Sequence, residues 1–286
     1  MSIPRTAEDA IVITIMACQC ETKVQELEHG LHTFRLHTYP DIFRQLVLTK
    51  TEKEIETLRQ SHQAHSNVVD FYYMPDCPSC RSAEMVARMV GVRLNKHYIN
   101  LWKGEHLKED YLKINPQHKV PFIVDGNLKL GESRAIMAYF VDRYKPGDPL
   151  YPSDPFQRAA VDEMLFFDAT TLYPSYSKLV RPILFEGKKN LDSETLRAYH
   201  QNLEYIESRL ANNGGGRFLL GDDLTIADIS LCAQIRLELP FDYDMSKLKR
   251  LVAYIDHMRA TIPDYSIINE EGAKSLISLI STRLEQ

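Results

Sequence analysis

The sequence has no long hydrophobic run, no excess of one charge and too few cysteines to be held together by disulfides. Five cysteines in 286 residues, an odd number, exclude a stapled secreted scaffold. The apolar stretch from Ile11 to Cys18 is too short to span a membrane, and Glu8 and Asp9 directly before it argue against a secretory leader. A net charge of −5, with both signs interspersed, leaves no electrostatic footprint for nucleic acid or an anionic membrane. A reduced, cytoplasmic protein with neither kind of partner is expected. His29, His32 and His37, even joined by Cys18 and Cys20, match no zinc-ligand spacing, so no metal is expected. Residues 1–66 read as an N-terminal extension, partly disordered, with a polar helix over 51–63 and no legible role.

What is present begins at residue 68. VVDFYYMPDCPSCRSAEMVARMV opens with an apolar, aromatic run that reads as a buried strand, broken by Pro75 and Asp76. Met85, Val86, Met89 and Val90 then recur at the spacing of one helical face. A helix starting at a Cys-x-x-Cys aims unpaired N–H groups and the positive end of its dipole at Cys77, a place that favours an anionic sulfur. Cys232 lies in an apolar run and reads as a buried free thiol.

Beyond it, Asn95–Leu101 reads as a second strand, followed by a turn and a short helix ending at Ile114. Val120–Val124 reads as a third strand, Gly126 as a hairpin turn, and Leu128–Leu130 as its partner. A helix then starts at Glu132-Ser133. This β-α-β-α-β-β-α order over residues 67–145 resembles the thioredoxin fold. Residues 146–155, rich in proline, read as a linker, and 156–286 as an all-helical domain. Val161, Leu165, Asp168, Leu172 and Tyr173 share a helical face, and Glu194–Asn213 is amphipathic. Thr225 and Asp228 are spaced as a capping box that stabilises the fold by about 1 kcal/mol and does no chemistry.

FYYMPDCPSCRS, GEHLKEDYLKINPQHKVPFIVDG, GESRAIMAYFVDRY and GDDLTIADIS together resemble the cytosolic glutathione transferases, most of all the insect delta and epsilon classes. The resemblance implies an α/β thioredoxin-like glutathione domain, an all-helical domain shaping a hydrophobic second-substrate site, glutathione as co-substrate, and a homodimer. It also implies a cis Pro121, which exposes the Val120 backbone for pairing with glutathione. Glu132, Ser133 and Arg134 fall where the γ-glutamyl end is held, beside a helix N-terminus. His106 and His118 match positions near the glycine carboxylate. Tyr173, Tyr176 and Arg181 fall in the hydrophobic pocket, making it apolar and partly cationic.

Cys77 departs from the pattern, which has serine there. Ionising an ordinary thiol fully at neutral pH needs a shift of about two units, or about 2.7 kcal/mol. A helix N-terminus supplies only about 0.3–1 kcal/mol of this. A thiol is a weaker donor than a hydroxyl, so Ser79 is a second candidate for the catalytic donor. Gly131 also departs, standing where a large residue is usual. Glutathione conjugation to hydrophobic electrophiles is the leading expectation. Two others stay open: thiol–disulfide reduction through Cys77, with Cys80 resolving the mixed disulfide, and glutathione or hydrophobic-ligand binding without turnover.

Overall fold

The computed structural model describes residues 68–285. The expectations for residues 1–66, including the 51–63 helix and the His29, His32, His37, Cys18 and Cys20 set, lie outside the described residues. β1 (Val68–Tyr73) lies between β2 (Arg93–Tyr98), its parallel partner, and β3 (Phe122–Asp125), which runs antiparallel and pairs in turn with β4 (Leu128–Leu130). The third strand begins at Phe122, after Pro121, which has no N–H to give a ladder. Gly126, at φ 57°, makes the β3–β4 turn in a backbone region that other residues rarely adopt.

Val69, Phe71 and Ile123 are fully buried on one face of the sheet. α1 (Pro78–Met89) covers them with Met85 and Val86, and α3 (Ser133–Tyr144) with Ile136, Met137 and Phe140. The short α2 (Glu109–Ile114) follows a 3-10 turn at Glu105–Leu107.

The second half is helical: α4 (Pro155–Phe167), α5 (Tyr173–Phe185), α6 (Ser193–Ala211), α7 (Ile226–Gln234), α8 (Lys249–Thr261) and α9 (Gly272–Glu285). Asp154 caps α4 by accepting from the N–H of Gln157, and Asp192 caps α6 by accepting from that of Thr195. The face read through Asp168 and Leu172 widens into a π-turn at 168–172 that fully buries both residues. A second π-turn at Ser266–Glu271 leads into α9.

α7 is buried along its whole length and packs against α1 and α4. The expected capping box forms at its start. Asp228 does more than cap: its carboxylate accepts from Thr225 N–H and hydroxyl, Leu219 N–H and Tyr254 hydroxyl. At the start of α9, a Cβ on Gly272 would lie 3.0 Å from the Arg81 side chain and 3.2 Å from the Pro75 carbonyl. That helix docks on the turn before α1 where little beyond a hydrogen fits. No helix among the described residues is long and apolar enough to cross a membrane.

Candidate functional site

β1 delivers the chain to a turn in which the Cys77 N–H donates to the Met74 carbonyl at 3.1 Å. Pro78 then starts α1, where its missing N–H costs nothing, and leaves Cys77 as the half-buried N-cap. Protonated, the Cys77 thiol points at the Val120 carbonyl, 3.8 Å away. Its pKa is lowered to about 7. The largest cause is a hydrogen bond from the Cys80 thiol, helped by the N–H groups of Cys80 and Ser79 and the charge of Arg81, while burial works the other way. Cys80 is pushed well up, by burial first and then by its Cys77 neighbour. The two thiols are thus split into one that ionises and one that stays protonated and donates. Ser79 is buried within α1 and serves Cys77 through its backbone N–H.

Arg81, one helical turn on, is 2 % exposed. It donates to the carbonyls of Pro75 and Asp76, both at 2.9 Å, fixing the turn that presents Cys77. It also reaches Ala233 O and Asn269 Oδ1, both at 3.1 Å. The sequence reading passed over this residue. Its signal was spacing: Arg81 lies four residues before Met85, on the apolar face of the helix.

At the start of α3, Glu132 adopts φ 62°, a conformation rare for a residue with a side chain. Ser133 is buried beside it. Glu132 is the N-cap of α3, and the first turn after it carries no further acidic residue. Arg134 donates to Asp168 through Nε and Nη2, at 3.1 and 2.6 Å, and through Nη1 to Ser133 at 3.3 Å. Asp168 is fully buried and also accepts from the Ser230 hydroxyl. Burial raises its pKa, and Arg134 and Ser230 pull it back down.

Val120–Pro121 is cis. His106 and His118 form a pair with ring centres 6.2 Å apart, and burial first, then His118, lowers the pKa of His106. His118 lies in the left-handed region at φ 48°, in the turn closed by its N–H on the Asn115 carbonyl.

Cys77 opens onto a cleft whose walls include Tyr173, Tyr176, Val180 and Arg181, with α5 lining one side along its whole length. Tyr173, Tyr176 and Arg181 therefore lie along one cleft. Arg134 lies 5.8 Å from the Tyr173 ring, which links the α3 end of the site to the cleft. The sequence reading missed Trp102 and Phe185, which stack across the cleft with ring centres 5.6 Å apart. Trp102 is held there by its Nε1, which donates to Asp76 at 3.1 Å, and the Ser275 hydroxyl donates to the same carboxylate. Arg181 lies over the Phe185 ring at 5.5 Å. Among the described residues no group of three or more histidines, cysteines or carboxylates is placed to hold a metal ion.

Comparison with known proteins adds to this geometry. Residues 71–148 match the family described as Glutathione S-transferase, N-terminal domain, and residues 177–264 match Glutathione S-transferase, C-terminal domain. A delta-class glutathione transferase of Nilaparvata lugens is 36% identical with a TM-score of 0.69, over 75% of this chain and 99% of that one. An epsilon-class enzyme of the housefly, Musca domestica, is 29% identical with a TM-score of 0.69, over 75% and 98%. A glutathione transferase homologue of Drosophila mojavensis, solved with bound glutathione, is 30% identical with a TM-score of 0.70, over 75% and 97%.

Proposed function

The chain belongs to the glutathione S-transferases, and from that premise we propose how its residues share the work. Glutathione is the co-substrate. Its thiolate sits at the N-terminus of α1 by Cys77, where the Ser79 and Cys80 N–H groups and the Cys80 thiol converge. The sulfur attacks an electrophilic carbon, and the leaving group departs with the displaced electron pair. Catalysis comes from positioning and from stabilising the thiolate before the reaction begins.

Val120 offers its backbone to the cysteinyl part of glutathione. Glu132 takes the γ-glutamyl ammonium, and Ser133 with the α3 N-terminus takes its carboxylate. Arg134 adds charge there while Asp168 and Ser230 fix its direction. His106 and His118 serve the glycine carboxylate. The acceptor is a hydrophobic electrophile held in the cleft by Tyr173, Tyr176 and Arg181. Residues 67–145 are thus the glutathione domain, 146–155 a linker, and 156–286 the domain that shapes the acceptor site.

The chain pairs with a second copy. Phe156 and Phe166, 87 % and 68 % exposed on α4, support this, because bare aromatics on one helix suit a shared face. Sedimentation of wild type against a Phe156→Asp, Phe166→Asp double variant tests it: a monomeric wild type sinks the dimer. We place the protein in the cytoplasm, where an ionising thiol such as Cys77 is kept reduced.

The observation that carries the reading is the ionising sulfur position at the mouth of an aromatic cleft. We would assay wild type and Cys77→Ser with an aryl halide acceptor and with a glutathione mixed disulfide. Conjugation by wild type that survives or rises in the variant is expected. Wild type that only reduces the disulfide, with reduction lost in Cys77→Ser, overturns it.

A further inference from the structure

We propose that Arg81 and Arg236, joined through Asn269, form a buried pair of positive charges that holds the active-site sulfur as a thiolate. Arg236 follows α7 and is 4 % exposed. Its Nη2 donates to Asn269 Oδ1 at 2.5 Å, the same oxygen that Arg81 Nε reaches at 3.1 Å. The other acceptors of the two guanidinium groups are backbone carbonyls: Pro75, Asp76 and Ala233 for Arg81, Ile235 and Asn269 for Arg236. Among the described residues neither has a carboxylate as an ion-pair partner. Glu270, the acid beside Arg236, is engaged by Arg259 at 2.5 Å.

Two guanidinium groups sharing one neutral oxygen inside a protein is an uncompensated arrangement. Positive charge without a fixed partner favours any anion that forms nearby. The groups around Cys77 identify that anion. From its own turn and helix these are Asp76, Cys80 and Arg81; from α5, Tyr173, Tyr176 and Arg181; behind Tyr176, Arg236 and Glu238. Asp76 is occupied by Trp102 and Ser275, Glu238 is exposed to solvent, and burial keeps both α5 tyrosines protonated. The sulfur beside Cys77, whether the protein's own or that of glutathione, is the group left to carry negative charge. The helix end alone falls short of ionising it; the Cys80 thiol, donating directly, contributes most, and the arginine charge adds to it from behind. Arg81 and Arg236 are thus positioning residues, which set the field without touching the reacting atoms.

The inference rests on the transferase reading only for what the thiolate then does, so its test uses neither glutathione nor an acceptor. Asn269→Asp places a carboxylate between the two arginines at nearly unchanged shape and cancels one positive charge. The readout is the rate at which iodoacetamide alkylates Cys77 against pH, followed by the mass of its peptide, with thermal unfolding measured alongside. The midpoint should rise by about 0.5–1 pH unit while the protein is held or stabilised. Arg236→Gln removes a charge by another route and should move the midpoint the same way. It decides the matter if Asn269→Asp does not fold. An unmoved midpoint, with only thermal stability changed, makes the pair a structural bolt and overturns the proposal. Failure of wild type to conjugate glutathione would instead sink the transferase reading and leave this field intact.

Discussion

Arg134 and Arg81 are both withdrawn from solvent, and the protein treats their charges in opposite ways. Arg134 meets a fully buried carboxylate, Asp168, which Ser230 also holds. Arg81 meets three carbonyls, an amide oxygen and a second guanidinium. The first charge is neutralised, and what remains is a direction: a guanidinium pinned against Ser133 at the head of α3. The second is left standing, and what remains is a field. Recognising a fixed zwitterion calls for orientation, whereas keeping a sulfur ionised calls for net charge.

Removing the neutralised pair should have the largest effect. Asp168→Ala strands the Arg134 cation and leaves Ser230 without its acceptor, so it should cost about 3–5 kcal/mol in denaturant unfolding. It should also raise the KM for glutathione. A loss under about 1 kcal/mol would mean that Arg134 finds water instead, and the contrast with Arg81 would collapse.

The unneutralised side is read through pH. Thiolate is the reactive form, so a pKa lowered to about 7 places the rise in Cys77 alkylation near pH 7 rather than near the usual 8.5 or so. At pH 7 this makes Cys77 roughly fifteen times more ionised than an ordinary thiol. A depressed thiol contributes stability that is present above its unfolded pKa. That contribution is lost as pH falls through about 7. A rise at pH 8.5 or above would show that Arg81 exerts no field on the sulfur.

Two smaller effects sharpen the comparison by leaving both arginines alone. Trp102→Ala removes the Phe185 stack and should raise the KM for aromatic acceptors about two- to tenfold with little change for glutathione. Trp102 is the single tryptophan of the chain, so acceptor binding should also appear directly in its fluorescence. An acceptor that leaves both the emission and the KM unmoved would place its site elsewhere. Gly131→Ala serves as a baseline: the new Cβ meets the Phe122 ring at an ordinary 3.5 Å. It should stabilise by about 0.4–1 kcal/mol through the unfolded chain, with the alkylation profile unshifted.

The fold was legible where its cause was local. β1, the α1 start, the β3–β4 hairpin and the Thr225–Asp228 box each announce themselves within a few residues, through periodicity, proline or capping chemistry. Tyr173, Tyr176 and Arg181, grouped through resemblance, line one cleft. What escaped depends on distance along the chain. Arg81 meets Asn269 across 188 residues and Ala233 across 152, and no local pattern announces such partners. Asp168 looked like one polar position on a helical face, and only the π-turn explains how it reaches both Arg134 and Ser230. Trp102 looked like part of a loop because its stacking partner ends a helix in the other half of the molecule.

The tight seat of Gly272 against Arg81 and Pro75 has a consequence for synthesis. The turn presenting Cys77 leaves the ribosome long before Asn269, Gly272 and Ser275, the groups that finish it. At roughly 5–20 residues per second that interval is about 10–40 s. During it the nascent chain carries a sulfur without its charge environment. A ribosome-stalled chain ending at Lys247 should therefore alkylate more slowly at Cys77 than the finished protein, so that the last part of its reactivity arrives with the closing helix.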